Sequence, residues 1–126
     1  MSKNLLICIG DGDNIGDVID LNLLSGNLEE ASRFSLNVKL ALEEIATLAK
    51  SELKASLVYV AGDDICFTVS DSLNLESILI NYAEYFLNKT GKTMSFGVGR
   101  KSVDALICLR TAKVSGKGRV IISGGN

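Results

Sequence analysis

Two short segments of the chain combine aspartates with glycines, and each follows an apolar run. Residues 10–16 read GDGDNIG, and residues 62–64 read GDD. Clustered carboxylates repel one another unless a cation lies between them, and hard divalent ions such as Mg²⁺ prefer oxygen ligands. These residues therefore predict a Mg²⁺ or Mn²⁺ site that handles phosphates, with Asp11, Asp63 and Asp64 as carboxylate ligands. The alternative is that aspartate and glycine are simply common turn residues at strand ends.

Two ions at such a site would have a defined use in phosphate chemistry. They can activate a hydroxyl for in-line attack on a phosphorus and stabilise the leaving pyrophosphate. A backbone carbonyl at Gly12 is a further expected metal ligand. Gly12, Gly16 and Gly62 also allow a ligand to approach the backbone closely, because glycine has no side chain.

Two other kinds of site share part of this pattern. A dinucleotide-binding loop would use Gly10, Gly12 and Gly16, but its helix should begin directly after the loop. Here the first expected helix begins about ten residues later, which argues against such a loop. A phosphatase of the haloacid-dehalogenase type would use Asp11 as its nucleophile and Asp13 as its general acid. That fold would place a loop and helix after its later acidic pair, whereas here another apolar strand follows, so the phosphatase remains the less favoured alternative.

Basic and polar residues elsewhere offer further contacts to a nucleotide. Arg110 and Lys113 lie three positions apart on one expected helix, so they share a face. Either could hold the β- and γ-phosphates, and a solvated helix face is the alternative. Asn14 and Ser35 could hydrogen-bond a base or ribose, and the alternative for both is an ordinary cap or surface role.

Composition excludes several classes of protein. The chain has 126 residues, of which 47% are hydrophobic and 22% charged, so we expect one globular domain over residues 1–126. A net charge of −2 gives no reason to expect direct DNA or RNA binding. The absence of histidine excludes catalytic triads that need it and most zinc sites. With no apolar run of about 20 residues and no signal peptide, we expect a cytoplasmic protein.

Apolar runs and helical periodicity predict eight regular elements. The strands are expected at residues 5–9, 57–61, 65–69, 94–98 and 120–122. The helices are expected at about residues 28–54, 73–88 and 102–114, with Asn27 capping the first and Ser102 the third. A glycine- and acid-containing connection is expected over residues 10–26.

The order of these elements brings the two acidic segments together. The first six elements match an α+β ferredoxin-like arrangement, β-α-β-β-α-β, and a further α-β pair follows. We expect a sheet rich in antiparallel pairs with the helices on one face. In that topology the first two strands are parallel and the third lies between them. The end of the first strand and the turn at residues 62–64 therefore lie at one edge of the sheet, which predicts a single site.

Three segments of the sequence also carry a resemblance to a known family. They are LLICIGDGDNIG at residues 5–16, VYVAGDDICF at residues 58–67 and MSFGVGRKSVDALICLRTAKVSGKGRV at residues 94–120. They resemble the palm domains of nucleotide cyclases, which include the GGDEF diguanylate cyclases and the CRISPR polymerase palms. The chain is most similar to the minimal CRISPR polymerase (mCpol) group, which shares an Asp-Gly-Asp-(Asp/Asn)-Ile-Gly opening.

The resemblance implies an activity and assigns residues to it. Palms of this kind each bind one nucleoside triphosphate and face a second palm in a homodimer, where a hydroxyl of one nucleotide attacks the α-phosphate of the other. The implied product is a cyclic di- or oligonucleotide that acts in anti-phage defence through a responsive effector, often membrane-bound. The implied metal ligands are Asp11 and Asp63, and Asp64 is implied as an added ligand or as the group that activates the hydroxyl. The expected catalytic residues are thus Asp11, Asp63 and Asp64, with two Mg²⁺ or Mn²⁺ ions per site. The resemblance implies that Lys113 contacts the triphosphate, and Asp13 matches the family's opening motif. The full set of residues expected to bind the nucleotide is Gly12, Asp13, Asn14, Ile15, Gly16, Ser35, Gly62, Arg110 and Lys113.

The chain also departs from the GGDEF pattern. Ala61 stands in place of the first glycine, and Asp64 stands in place of glutamate. The residues that read guanine in GGDEF enzymes have no counterpart in residues 14–27, which argues against guanine specificity. Because CRISPR-type palms mostly use ATP, the resemblance implies ATP as the substrate. A palm that holds a nucleotide or cyclic product as a sensor, without turnover, is the second functional hypothesis.

Overall fold

A computed structural model describes residues 5–71 and 74–124 of the chain. The strands are β1 (Leu5–Gly12), β2 (Ser56–Ala61), β3 (Asp64–Ser70), β4 (Met94–Gly99) and β5 (Val120–Ile122). The helices are α1 (Ile15–Leu24), α2 (Leu28–Glu52), α3 (Leu75–Thr90) and α4 (Ser102–Val114). The expected start of the second predicted helix at Leu73 lies outside the described residues. No helix in the described ranges is long and apolar enough to cross a lipid bilayer.

The five strands form one mixed sheet in the order β2-β3-β1-β4-β5. Strand β1 is antiparallel to both β3 and β4, β2 is antiparallel to β3, and β4 and β5 are parallel. Strand β3 therefore lies between β1 and β2, which confirms the predicted α+β ferredoxin-like arrangement. This order places the end of β1 beside the β2–β3 turn.

Helix α1 corrects the expected connection over residues 10–26. Ile15 is buried in the core, and Val18 and Ile19 pack against it at helical spacing. A helix that packs three apolar side chains against the core in this way is stabilised by those contacts even though it is only ten residues long. The objection that the glycine-rich loop lies far from a helix was therefore wrong, because α1 begins directly after it.

Helix α2 forms largely as its sequence predicts. The side chain of Asn27 accepts a hydrogen bond from the backbone N–H of Glu30 at 3.3 Å, which caps the helix start. Its apolar stripe is buried against the sheet and α3. The buried residues of α2 are Ala31, Phe34, Val38, Ala41, Leu42, Ile45, Ala46 and Ala49.

Helix α4 packs on the other face of the sheet, which corrects the expectation that all helices share one face. Along β4, residues 94, 96 and 98 belong to the core that α2 and α3 cover. Gly97 faces α4 on the opposite side of the sheet, because a Cβ added to it would lie 2.2 Å from the carbonyl oxygen of Ala105. Every residue of β4 is consequently buried. Ser102 is the first residue of α4 and Lys101 occupies the cap position, so the predicted serine cap does not form.

Replacing Gly97 with alanine should destabilise the protein. The added Cβ would meet the backbone of Ala105 and, at 2.3 Å, the backbone nitrogen of Leu109, so α4 would have to move off the sheet. We expect a loss of about 1–3 kcal/mol in the free energy of unfolding, measured by chemical denaturation. Gly16→Ala is the matched control, because no atom lies within 4 Å of its new Cβ. Equal stability of the two variants would contradict this packing.

Candidate metal and nucleotide site

The two acidic segments meet at one edge of the sheet. Asp11 near the end of β1 pairs in register with Asp64 at the start of β3. The backbone N–H of Gly12 donates to the carbonyl of Asp63 at 3.0 Å, and Gly62 forms the β2–β3 turn with a φ of 59°. Carboxylate oxygens of Asp11, Asp63 and Asp64 lie within 4.8 Å of one another.

The electrostatics of this cluster fit a divalent cation. Among the described residues, the Asp11 Oδ1 atom is buried and has no hydrogen-bond partner. Burial raises the pKa of Asp64 to about 6, and a hydrogen bond that protonated Asp64 donates to Asp63, together with the charges of Asp11 and Asp63, adds to the shift. Burial likewise raises the pKa of Asp11, assisted by the Asp63 charge and opposed by Lys113. An orphaned buried oxygen among mutually repelling carboxylates is the donor set that a hard cation would satisfy.

Stability should depend on pH through Asp64 when no divalent cation is present. A folded-state pKa of about 6 lies above the ordinary value of 3.8, so the folded protein holds the proton more tightly. Stability is therefore expected to fall as pH rises from about 4 to 6. Asp64→Asn should lack this decline and become more stable than wild type above pH 6, as denaturation in EDTA would show. Parallel pH profiles of the two proteins would contradict the assignment.

The ammonium group of Lys113 is enclosed by oxygen atoms next to this cluster. Its Nζ lies 2.6 Å from Asp13 Oδ1 and 3.2 Å from Asp11 Oδ2. It also donates to the carbonyls of Gly12 at 3.1 Å and Asp11 at 3.3 Å. The Lys113 side chain is only 20% exposed. The carbonyl of Gly12, an expected metal ligand, is thus engaged by a lysine in this structure.

Asp13 anchors a second layer of polar contacts behind Lys113. Its side chain is 1% exposed and accepts hydrogen bonds from the hydroxyls of Thr93 at 2.7 Å and Ser95 at 3.0 Å, and from the Gly118 N–H at 2.9 Å. Burial alone would raise the pKa of Asp13, but the hydrogen bonds from Lys113, Thr93 and Gly118 outweigh it and hold that pKa below its usual value. The only sequence signal for these partners is a serine inside an otherwise apolar buried strand.

A cleft of about 420 Å³ lies beside the carboxylates, between α1, α2 and the β2–β3 turn. Four predicted nucleotide-binding residues line it together with Asp63: Ile15, Gly16, Ser35 and Gly62. Lys39 and Glu43 also line it and were missed by sequence reasoning. Their spacing of four and eight positions from Ser35 puts all three on one face of α2, which is the signal that would have identified them.

The first turn of α1 lies next to this cleft. Asn14, at the helix cap position, adopts a left-handed conformation with φ 61°, and no side chain caps the helix. The Asn14 Oδ1 instead accepts a hydrogen bond from Lys117 Nζ at 2.6 Å. A helix N-terminus with a lysine beside it suits an anionic ligand.

Arg110 is not brought into the cluster. It is exposed on α4 and lines a surface with Leu106, Ile107 and Val114. Lys113 lies one turn further along the helix and faces the carboxylates. The two basic residues predicted to share a face therefore have different surroundings.

Comparison with known proteins gives a consistent family and fold. Residues 7–123 match the model of the minimal CRISPR polymerase (mCpol) domain. No curated protein has a sequence that matches the chain.

Solved structures share the fold at low sequence identity. The active GGEEF domain of a diguanylate cyclase from Vibrio cholerae is 15% identical, with a TM-score of 0.64 over 98% of this chain and 86% of that one. The GGDEF domain of DgcB from Caulobacter crescentus, in complex with c-di-GMP, is 13% identical, with a TM-score of 0.64 over 94% and 77% of the two chains. A Csm1–Csm4 cassette in complex with one ATP is 21% identical, with a TM-score of 0.70 over 97% of this chain and 21% of that one. The present chain thus spans about a fifth of the matched Csm chain.

Proposed function

The chain belongs to the minimal CRISPR polymerase family, and from that premise we propose that it is a metal-dependent nucleotidyltransferase. It joins nucleoside triphosphates, ATP foremost, into a cyclic di- or oligonucleotide and releases pyrophosphate. The observation that carries the proposal is the buried Asp11 Oδ1, which has no partner among the described residues. Asp11 clusters with Asp63 and Asp64, and Asp63 lines the cleft.

Asp11, Asp63 and Asp64 would hold the divalent cation, Mg²⁺ or Mn²⁺. Such an ion, when bound, neutralises charge on the phosphates and favours ionisation of an attacking hydroxyl. All the donors are oxygens, which suits these metals. The site makes no use of histidine or cysteine, which agrees with a chain that has no histidine and keeps its three cysteines buried.

The cleft between α1 and α2 is proposed to hold the base and ribose. Ile15 and Val38 supply apolar surface to a base, while Ser35 and Glu43 supply hydrogen-bond acceptors for an amino group such as that of adenine. Likeness to a Csm1–Csm4 cassette solved with one ATP also favours adenine. Gly16 leaves open space along the cleft, because no atom lies within 4 Å of a Cβ built there.

The triphosphate is proposed to run from this cleft to the first turn of α1. The backbone N–H groups of that turn and the Lys117 ammonium offer donors to phosphate oxygens. Lys117 was not among the residues predicted for the site, and it is an exposed cation that contacts the loop through Asn14. Lys113 is the second cation on this side, although it is held by carboxylates in this structure.

The chain's own residues account for the proton in the proposed reaction. A ribose hydroxyl oxygen forms a bond to the α-phosphorus, the bond from that phosphorus to the bridging oxygen breaks, and pyrophosphate leaves. The carboxylate of Asp64 accepts the hydroxyl proton. In the metal-free protein the pKa of Asp64 is raised to about 6, and a cation held by Asp64 would lower that pKa, so the carboxylate is ionised at neutral pH and can accept the proton.

A second copy of the chain is proposed to supply the second nucleotide. One cleft holds one triphosphate, whereas each bond formed needs a donor and an acceptor. The rate per protein molecule should therefore fall on dilution below the dimer dissociation constant. A specific rate that stays constant down to nanomolar protein would argue against a weak obligatory dimer.

The direct test is incubation of the protein with each of the four nucleoside triphosphates and Mg²⁺ or Mn²⁺, followed by mass spectrometry. A cyclic adenine oligonucleotide with an equivalent release of pyrophosphate is the expected result. Nucleotide-dependent thermal stabilisation without turnover would instead favour a sensor. Free phosphate from small phosphate esters would favour the phosphatase. A cyclic product would support the family's implied role in anti-phage defence, through an effector that responds to it.

A further inference from the structure

We propose that Lys113 is a built-in cation that fills the place of a second divalent ion while no nucleotide is bound. The inference rests on the proposed metal site and concerns the chain's own residues around it. Lys113 Nζ lies within 3.3 Å of four oxygen atoms: Asp13 Oδ1, Asp11 Oδ2, and the carbonyl oxygens of Asp11 and Gly12. We call these four atoms the oxygen cage.

The composition of the oxygen cage is that of a cation site. Two of its atoms are carboxylate oxygens and two are carbonyl oxygens, which is a common mixture around hard divalent ions. One of the carboxylates, Asp13, is 1% exposed, so its charge needs a compensating cation in every state of the protein. Lys113 meets that need without a metal.

The two carboxylate oxygens of Asp11 have different surroundings. Its Oδ2 atom contacts Lys113 at 3.2 Å, whereas Oδ1 has no partner within the described part of the chain. The free oxygen is the one available to an ion shared with Asp63 and Asp64. In the nucleotide-free protein the structure therefore offers one open ion position and one position that the lysine already occupies.

Filling the second position requires Lys113 to leave the oxygen cage. A bound triphosphate can favour that departure, because its oxygens give the ammonium another anionic partner. The two ions expected from the family resemblance would then be present together only when nucleotide is bound. This makes occupancy of the second ion position dependent on substrate.

The test counts bound Mn²⁺ in the absence of nucleotide, by electron paramagnetic resonance of the free ion. The wild type should bind one ion per chain, and Lys113→Ala should bind one ion more. Lys117→Ala is the matched control, since it removes the same charge from an exposed lysine outside the oxygen cage, and its count should equal that of wild type. Adding Asp13→Asn to Lys113→Ala removes a carboxylate from the cage and should abolish the extra ion.

Several outcomes would overturn the inference. Equal counts for wild type and Lys113→Ala would do so, as would an extra ion in Lys117→Ala. If Lys113→Ala is unfolded in EDTA, recovery of its circular-dichroism signal with Mn²⁺ but not with NaCl of equal ionic strength supports the cage. Failure of Mn²⁺ to restore that signal overturns it.

The number of Mn²⁺ ions bound per chain also tests this inference independently of the proposed function. Asp63→Asn should remove the ion that wild type binds and leave the extra ion of Lys113→Ala in place. A wild type that binds no Mn²⁺ would count against the proposed catalytic site, while the difference between wild type and Lys113→Ala would still decide the role of Lys113. No cyclase turnover is needed for either result.

Discussion

Asp63→Asn should abolish nucleotide joining while leaving the protein folded. Asp63 is one of three carboxylates whose oxygens lie within 4.8 Å of one another, and the amide that replaces it carries no negative charge. The contact that Asp63 makes to Gly12 uses its backbone carbonyl, so the substitution leaves that hydrogen bond available. We expect pyrophosphate release to fall by a factor on the order of 10³, because a preorganised electrostatic contribution to the transition state is lost.

The control variant is Asp20→Asn, which removes one charge from an exposed position of α1. It should keep wild-type activity, which would show that the effect does not come from net charge. Thermal unfolding in EDTA should show that Asp63→Asn is at least as stable as wild type, since repulsion with Asp11 and Asp64 is relieved. A folded Asp63→Asn protein that makes product at the wild-type rate would rule out the carboxylate cluster as the catalytic site.

The meeting of the two acidic segments could be predicted from sequence because topology constrains it. Once a β-α-β unit has a third strand between its two parallel strands, the end of the first strand must lie beside the turn that leads into the third. The observed pairing of Asp11 with Asp64 agrees with that order. This part of the site could be predicted from the sequence because the prediction required no knowledge of side-chain packing.

Helix α1 was missed because its sequence gives weak local signals. Its outer face carries exposed apolar residues, including Leu21 and Leu24 at 65% and 87% exposure, so the contrast between its two faces is low. The glycine at position 16 also lowers its intrinsic helix propensity. The helix is stabilised by tertiary contacts of Ile15, Val18 and Ile19, which depend on where α2 lies.

The polar network around Asp13 had a single sequence signal, the serine at position 95 within an otherwise apolar strand. Its partners lie about 80 to 105 positions away in sequence, just before β4, on β4, on α4 and in the turn before β5. Sequence reasoning placed Asp13 among nucleotide-binding residues because it belongs to the family's opening motif. In the structure Asp13 is enclosed by protein donors, and its charge acts on the fold through Lys113 and Gly118.

Asp13→Ala should therefore cost more stability than any surface substitution. The variant leaves the hydroxyls of Thr93 and Ser95 and the Gly118 N–H without their acceptor, and it removes the closest anionic partner of Lys113. Removing one member of a buried ion pair typically costs roughly 3–5 kcal/mol, which is a large share of the stability of a domain this size. Chemical denaturation at neutral pH measures the loss.

The dependence of this loss on pH distinguishes a charged anchor from a merely well-packed side chain. Because the folded-state pKa of Asp13 is lowered from 3.8, its ionised form contributes stability that is complete above about pH 4. That contribution is lost as pH falls through the lower folded-state value, so wild type and Asp13→Ala should converge in acid. Asp13→Asn keeps an acceptor oxygen, so its free energy of unfolding at neutral pH should lie between those of wild type and Asp13→Ala. If the difference in free energy of unfolding between wild type and Asp13→Ala stays constant from pH 7 to pH 2, then the shape of Asp13, and not its charge, holds Lys113 and the C-terminal turn in place.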